Sequence, residues 1–588
     1  MENNSIRTGA TAVPAQTQSV EDIAFTRDRL SNLILESSSS TVIDLEDAKK
    51  NAKECLSLVK QFPFLAAESF PFGDESGSEI FPLWFLVLCN VNLEQIKEGY
   101  ACYPDAVADV TGNERPLQLA CRQKHTAEGV IAFLAEQYPA SLMMKDVNDD
   151  LPLHVFLKHS YSASDPYSLK TVEKMVDLYP ESLLVHGFEG VSTLNLALAL
   201  PLDAACLYYL FDNVPKYLTE FEVCIDAEEE RDFFSYDQAK AVGRLLPQLE
   251  IFDCVIEIHV LAFRYLLDCI GSNLSITNLT MHLPITSLGN VEFDDVEYAL
   301  ENMLTKNNAI TTIRLKDSRA FDGSTEIPRD RYIEALRVGL GHNETIQEVI
   351  LETMVIKEAV LGQFLSSSSV PRKVKLHDIH VEPAPGGERW ISTAATEACR
   401  LVELEIRFYR QDNPEWLVDL LEQLETMRHL SCLRIRSTSE DMDVTEQLVA
   451  ILRRNVLQSL GIVCGLSVDI EEICNVLETN TSLKHYDVTT SIDNEEKQAR
   501  LASVLEHYNT TLQQVGMNAP YVDKECRQAH RIRYLTALNS SGRSRVSDPS
   551  IALEEFVGLL DVASQRSSFS IVFGLLRCSP GLWSNAFI

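Results

Sequence analysis

Two rhythms of apolar and polar positions divide the chain. In the N-terminal part, apolar runs of helical length alternate with polar turns, and two marks recur in phase. One is an aromatic-Pro or Val-Pro pair at Phe62-Pro63, Tyr103-Pro104, Tyr138-Pro139, Tyr179-Pro180 and Val214-Pro215, with steps of 41, 35, 41 and 35 residues. The other is Pro82-Leu83, Pro116-Leu117-Gln118-Leu119-Ala120, Pro152-Leu153-His154-Val155 and Thr193-Leu194-Asn195-Leu196-Ala197, with steps of 34, 36 and 41. Each Pro-Leu opens a short helix, because proline suits the first helical turn. An amphipathic helix follows, such as 128–137 or 171–178, and ends at Tyr-Pro, since proline cannot continue it. A polar turn such as 146–150 leads to the next unit. From about residue 274 the rhythm becomes short strands with apolar residues at i, i+3 and i+5. They are centred on Leu279, Ile313, Val349, Val374, Leu404, Leu433, Leu460, Tyr486 and Val515. Amphipathic helices lie between them, for example Val296, Ala299, Leu300, Met303 and Leu304. An asparagine often precedes the strand, as in Asn308-Ala309-Ile310, Asn343-Glu344-Thr345-Ile346, Asn480-Thr481-Ser482-Leu483 and Asn509-Thr510-Thr511-Leu512.

Repeats of these lengths stack supersecondary units that bury their cores only against neighbours. Leu151-Pro152-Leu153-His154 and Arg115-Pro116-Leu117-Gln118-Leu119-Ala120 resemble the ankyrin repeat, which implies four to five repeats over residues 45–218. The second array resembles intracellular leucine-rich repeats of the ribonuclease-inhibitor type, which implies about nine units over 274–518. The fold expected is a two-part repeat solenoid. An all-α ankyrin-like array is followed by an α/β leucine-rich-repeat horseshoe with a helical C-terminal cap at 519–588, including helices at 526–538, 551–562 and 568–577. Residues 1–44 are expected to be a partly disordered segment, and 219–273 an acidic junction with a helical cap. Pro383–Trp390 and Ser366–Ser369 read as surface loops. The order of parts, ending in Arg533-Tyr534-Leu535-Thr536-Ala537-Leu538, is similar to uncharacterised repeat proteins of diatom-type algae. That resemblance implies architecture and no chemistry.

Charge narrows the partners. The 588 residues carry 51 Lys+Arg against 86 Asp+Glu, a net charge of −35. Such a chain lacks the basic footprint of a general nucleic-acid binder, and anionic lipid surfaces repel it. No run reaches the ~18 apolar residues of a membrane span; the nearest, 193–211, is broken by Asn195, Pro201 and Asp203. A polar first twenty residues and 14 cysteines without a C-x-x-C pair point to reduced thiols and a cytoplasmic location, a nuclear one left open.

The chemistry-bearing motifs are sparse. No G-x-x-x-x-G-K-[ST], G-x-S-x-G or H-E-x-x-H occurs, so neither an enzyme, a cofactor nor a metal is expected. Asp146, Asn148 and Asp150 have the spacing of a calcium loop, but that loop's glycine and glutamate positions hold Leu151 and Leu157, so a polar turn is expected. His154 reads as a capping or core histidine. His377 and His380 share one strand face or its edge and make an incomplete zinc site. Cys432 is either a thiol whose pKa Arg434 and Arg436 lower or a plain half-exposed cysteine. Arg527, Arg531, Arg533, Arg543 and Arg545 form either an anionic-partner patch or a capping helix with solvated charges.

Alternation in the strands assigns the concave face residue by residue. It displays Arg314 and Lys316, then Glu348 and Glu352, then Lys373, Lys375 and His377, then Glu403, Glu405 and Arg407, then Cys432, Arg434 and Arg436. Later rungs are nearly neutral. Laterally opposed charges would make a ladder of ion pairs, each worth ~0.5 kcal/mol. Seven Lys/Arg against four Glu also leave a basic strip on an acidic body, suited to steering an acidic protein segment. The functional expectation is a protein–protein adaptor using this face and an ankyrin-like groove. The alternative is a regulatory subunit of the GTPase-activating or inhibitor kind.

Overall fold

A computed structural model of the chain describes residues 20–543 apart from 39–44, 73–77, 109, 111–113, 124–125, 127–128, 160, 163–164, 224–233, 255–259, 284–289, 318–328, 383–398, 409–414, 438–441, 464–465, 489–494, 517–526 and 542. The chain forms two compact units, Met1–Tyr217 with Cys224–Glu228, and Leu218–Val223 with Glu229–Ile588.

The first unit is an array of helix pairs in phase with both sequence marks. The pairs are Pro82–Leu88 with Leu93–Cys102, Pro116–Arg122 with Val130–Gln137, Pro152–His159 with Pro166–Leu178, and Thr193–Ala199 with Ala204–Asp212. Each aromatic-Pro mark does more than end a helix. Its proline opens a 3-10 turn, at Pro63–Ala67, Pro104–Val107, Pro139–Met143 and Pro180–Leu183, because a fixed φ near −65° starts a helical turn as readily as it stops the one before.

One expectation for this unit is refined and one corrected. In the segment expected to be partly disordered, residues 1–19 lie outside the described residues and Val20–Ser38 is a helix packed on Leu45–Gln61. Leu30, Leu33 and Ile34 form its fully buried stripe, and Arg29 holds Glu54 with two hydrogen bonds of 2.8 and 3.1 Å. The unit is also not all-α: β1 (Phe70–Phe72) and β2 (Ser78–Ile80) pair antiparallel, with Phe70 and Ile80 buried opposite each other.

Neighbouring helix pairs are tied by their fourth motif position. Gln118 accepts from the Arg115 N–H at 3.0 Å and donates to the Met144 carbonyl of the next turn at 3.0 Å. His154 does the same with a ring. Its Nδ1 accepts from the Leu151 N–H at 3.2 Å, and Nε2 lies 3.0 Å from Thr193 Oγ1, whose hydroxyl donates to the Ser182 carbonyl at 2.6 Å. With that hydroxyl proton committed, Nε2 carries the ring proton and donates to Thr193. Threonine at 193, where the sequence mark otherwise has proline, completes this relay. Burial lowers the His154 pKa to about 4, so the ring is neutral near pH 7. The acidic turn is structural. Asp146 Oδ1 accepts from the N–H groups of Asn148 and Asp150, its Oδ2 pairs with Arg122, and Asp150 pairs with Lys158 at 2.7 Å.

The second unit is built on one eleven-stranded parallel sheet: β3 (Glu220–Val223), β4 (Ile251–Cys254), β5 (Asn278–His282), β6 (Thr312–Lys316), β7 (Glu348–Glu352), β9 (Lys373–His377), β11 (Glu403–Phe408), β12 (Cys432–Ser437), β14 (Ser459–Val463), β16 (His485–Val488) and β17 (Gln514–Gly516). Short pairs lie beside it, β8 (Val355–Lys357) with β10 (His380–Glu382) and β13 (Met442–Asp443) with β15 (Leu466–Ser467). Successive sheet strands are spatial neighbours without a reversal of order. Right-handed crossovers that always step the same way put every connecting helix on one face. The result is a solenoid with one helix-covered and one open face.

All nine expected strand centres lie in strands. The array nevertheless begins before residue 274: β3 and β4, with helices Tyr236–Leu245 and Val260–Gly271, extend it into the stretch expected to be a junction and cap. The acidic part of that stretch at 224–233, the 383–390 loop and the expected helices at 551–562 and 568–577 lie outside the described residues. Helix Arg527–Ser540 packs on β17 as the cap.

A column of mostly buried asparagines fastens successive repeats to one another. Asn307 Nδ2 donates to the carbonyls of Ile270 and Asn273 in the preceding repeat, at 2.7 and 2.8 Å, while its Oδ1 accepts from the N–H groups of Ala309 and Ile310. Asn343 and Asn509 make the same four bonds, and Asn273, Asn480 and Asn539 make part of the set. The residue that matters before β6 is Asn307 rather than Asn308, which is exposed. Cys399 extends the column in reduced form, its thiol donating to the Leu365 carbonyl at 3.1 Å.

Candidate functional site

The sheet register places all seven predicted cations on the open face. One row runs Thr312, Glu348, Lys373, Glu403, Cys432, Ser459, His485 and Gln514. The central row runs Arg314, Ile350, Lys375, Glu405, Arg434, Gly461, Asp487 and Gly516, and the third begins Lys316, Glu352, His377, Arg407 and Arg436. The intervening residues, such as Leu315, Leu351, Leu376 and Ile406, are fully buried against the helices.

Strands about 4.8 Å apart bring opposite charges into contact. Lys375 lies 2.7 Å from Glu348, and Lys373 is 3.5 Å from both Glu348 and Glu403. Glu352 takes Lys316 at 3.5 Å and Arg314 at 3.8 Å. Arg407 pairs with the buried Glu405, and Arg434 reaches Glu403 at 3.1 Å. The ladder of ion pairs is therefore present. Arg436 is exposed and pairs with no described acidic residue.

Electrostatics follow burial. Burial works to raise the Glu405 pKa, but the hydrogen bond and charge of Arg407, with His377 and Lys375, outweigh it and hold the carboxyl below its usual range. Burial, then Arg407, lower His377. Of the two readings of Cys432 the plain half-exposed cysteine fits: burial raises its pKa, against the smaller opposing pull of Ser459 and Arg434. His377 and His380 do not share a face, because His380 sits on β10, in a separate two-stranded sheet. The arginine cluster does not form one patch. Arg531 pairs with Glu506, and Arg543 donates to the carbonyls of Leu505 and Glu506, capping the helix Glu495–His507. Arg545 lies outside the described residues.

Beyond β12 the ladder stops. A depression of about 290 Å³ opens there, lined by Arg434, Arg436, Ser459, Gly461, His485, Asp487 and Gln514 among others. Glycine creates its floor. A Cβ on Gly461 would lie 3.4 Å from Arg434 Cγ, and a Cβ on Gly516 would collide with the Asp487 carboxylate, which lies over it. Reading the later rungs as nearly neutral passed over this feature. Its only sequence signal is two glycines in the central row on either side of Asp487. Among the described residues, no three His, Cys, Asp or Glu side chains cluster to hold a metal ion, and no helix is long and apolar enough to cross a membrane.

No family model matches the chain, and no curated protein matches it. A solved structure similar to it is the tropomodulin C-terminal domain of Caenorhabditis elegans, 16% identical, covering 25% of this chain and 87% of that one, with a TM-score of 0.20. A likeness of that size assigns neither fold nor partner. The architecture rests on the sheet order, the register and the asparagine column.

Proposed function

We propose that this chain is a non-catalytic adaptor that recognises protein segments on the open face of its parallel sheet, with the first unit, read as ankyrin-like, offering a second surface. The observation that supports this reading is the convergence of Arg314, Lys316, Lys373, Lys375, Arg407, Arg434 and Arg436 on one face in register. Ion pairs hold most of these side chains in place, so a ligand meets a surface that loses little conformational freedom on binding. Between β6 and β12 the face carries seven cations against four glutamates, which favours an acidic segment of a partner on that stretch, whereas Glu220, Glu222 and Asp253 make the β3–β4 end acidic. The adaptor acts in the cytoplasm in this reading, without cofactor or metal.

The test is capture from a lysate of the source cells by the full chain and by its Arg434→Glu/Arg436→Glu form. Discrete proteins retained by the first and lost by the second support recognition on this face. An identical set with both forms removes the face from the proposal.

A further inference from the structure

We propose that the depression bounded by β12, β14 and β16 is a carboxylate pocket, which takes one Asp or Glu side chain of an extended partner peptide. This deepens the recognition reading and rests on it. The two halves of the open face are not equivalent. From β6 to β11 the cations lie against Glu348, Glu352, Glu403 or Glu405, and a ligand there must displace an existing partner. β14 itself carries no acidic residue, and the next one along the central row is Asp487 on β16. Arg434 and Arg436 are flanked on that side by Gly461 and Val463, and the neighbour of Cys432 is Ser459.

Among the described residues, both arginines keep donors to spare. Arg434 spends a bond on Glu403, leaving most of a five-donor guanidinium, and is 45% exposed. Arg436 is exposed, with no acidic partner among the described residues. A planar guanidinium reads a carboxylate through paired N–H donors, which lysine cannot imitate. The space over Gly461 holds about 290 Å³, many times the ~10–15 Å³ that a cavity needs to take one water. That fits a carboxylate and its methylenes beside a passing backbone.

Asp487 decides between anions. It forms the far wall, opposite the arginines and next to Gly461 in the central row. Two guanidiniums facing one carboxylate suit a monoanion, whereas a phosphoryl group near −2 would crowd Asp487 with like charge. His485 and Gln514, at the same edge, supply hydrogen-bonding groups for a peptide backbone crossing the pocket.

The test is fluorescence anisotropy on the full chain with three labelled peptides of one length: alternating Glu-Gly, the same with Gln, and the same with phosphoserine. The Glu peptide is expected to bind at least tenfold more tightly than either of the others. Arg436→Gln, a change at an exposed residue, should weaken the Glu peptide about tenfold, equivalent to about 1.4 kcal/mol. Gly461→Leu fills the floor and leaves every charge in place, and should weaken it by a similar factor with the melting temperature unchanged within a few degrees. Lys306→Gln, at the exposed end of the helix Asn290–Lys306, should change binding less than twofold. No binding of the Glu peptide, equal binding by wild type and Arg436→Gln, or preference for phosphoserine overturns the pocket. If that happens while the Arg434→Glu/Arg436→Glu form still loses its lysate partners, the recognition reading stands and the pocket alone falls. Intact peptide binding with an unchanged lysate set has the opposite meaning.

Discussion

Replacing Asn307 with alanine isolates what holds successive repeats together. The side chain is 1% exposed and makes four hydrogen bonds of 2.7 to 2.9 Å, two within its own turn and two to the preceding repeat. Alanine strips the partner from the Asn273 carbonyl and from two N–H groups, and leaves the Ile270 carbonyl only the Asn273 N–H. At about 1 kcal/mol net per bond, with some return from water entering the gap, the loss is about 3–4 kcal/mol. In a unit of this size that is on the order of 5 °C in melting temperature. Asn308→Ala is the control, because its exposed neighbour should cost below ~0.5 kcal/mol. Urea unfolding followed by circular dichroism reads both. In an array whose stability is a sum of repeat and interface terms, Asn307→Ala should also broaden the transition. A loss under ~1 kcal/mol, or one equal to that of Asn308→Ala, refutes the view that the asparagine column fastens the array.

Further outcomes follow from single contacts. Cys399→Ala removes the thiol-to-carbonyl bond to Leu365 and the weak sulfur acceptor for the Leu401 N–H, and should cost about 1 kcal/mol by urea titration, well below Asn307→Ala. His154 has its folded pKa lowered to about 4 by burial, against an unfolded value near 6.5. The unfolded chain therefore takes up the proton first as pH falls, and the histidine's contribution, complete above about pH 6.5, is lost progressively toward pH 4, by roughly 3 kcal/mol at most. His154→Gln, which installs the residue found at the equivalent position 118, should flatten melting temperature against pH between 7.5 and 5; parallel curves for the two proteins would contradict it. Arg407→Met strands the buried Glu405 and should destabilise by about 2 kcal/mol, rescued in part by Glu405→Gln in the same chain. Gly339→Ala puts a Cβ 2.7 Å from Leu304 Cβ and should cost about 1–3 kcal/mol in thermal unfolding.

Much of the fold was legible because both repeats return the same marks in phase, although their spacing varies. Strand alternation fixed which residues reach the open face, so Arg314 through Arg436 were assigned correctly from spacing alone. The pairing of those charges was legible too, since parallel in-register strands put like positions side by side. What escaped was hidden by composition. The strands β3 and β4 alternate properly, with Phe221, Val223, Phe252 and Cys254 inward, but Glu220, Glu222 and Asp253 between them read as part of an acidic run. The helix Val20–Ser38 carries its stripe at Leu30, Leu33 and Ile34 beside a Ser/Thr-rich stretch, and polar composition masked it. Spacing left two readings of Cys432 open, because burial, which outweighs the nearby arginine, is invisible to it. The depression over Gly461 is a space made by absent side chains, and residue lists count only what is present.

The measurement closest to the central claim is hydrogen–deuterium exchange of the full chain, alone and with a captured partner. Recognition on the open face predicts new protection in peptides covering β12, β14 and β16, with little change in the helices Pro82–Leu88 through Ala204–Asp212. Protection confined to those helices, or to the helix-covered side of the sheet unit, would contradict it.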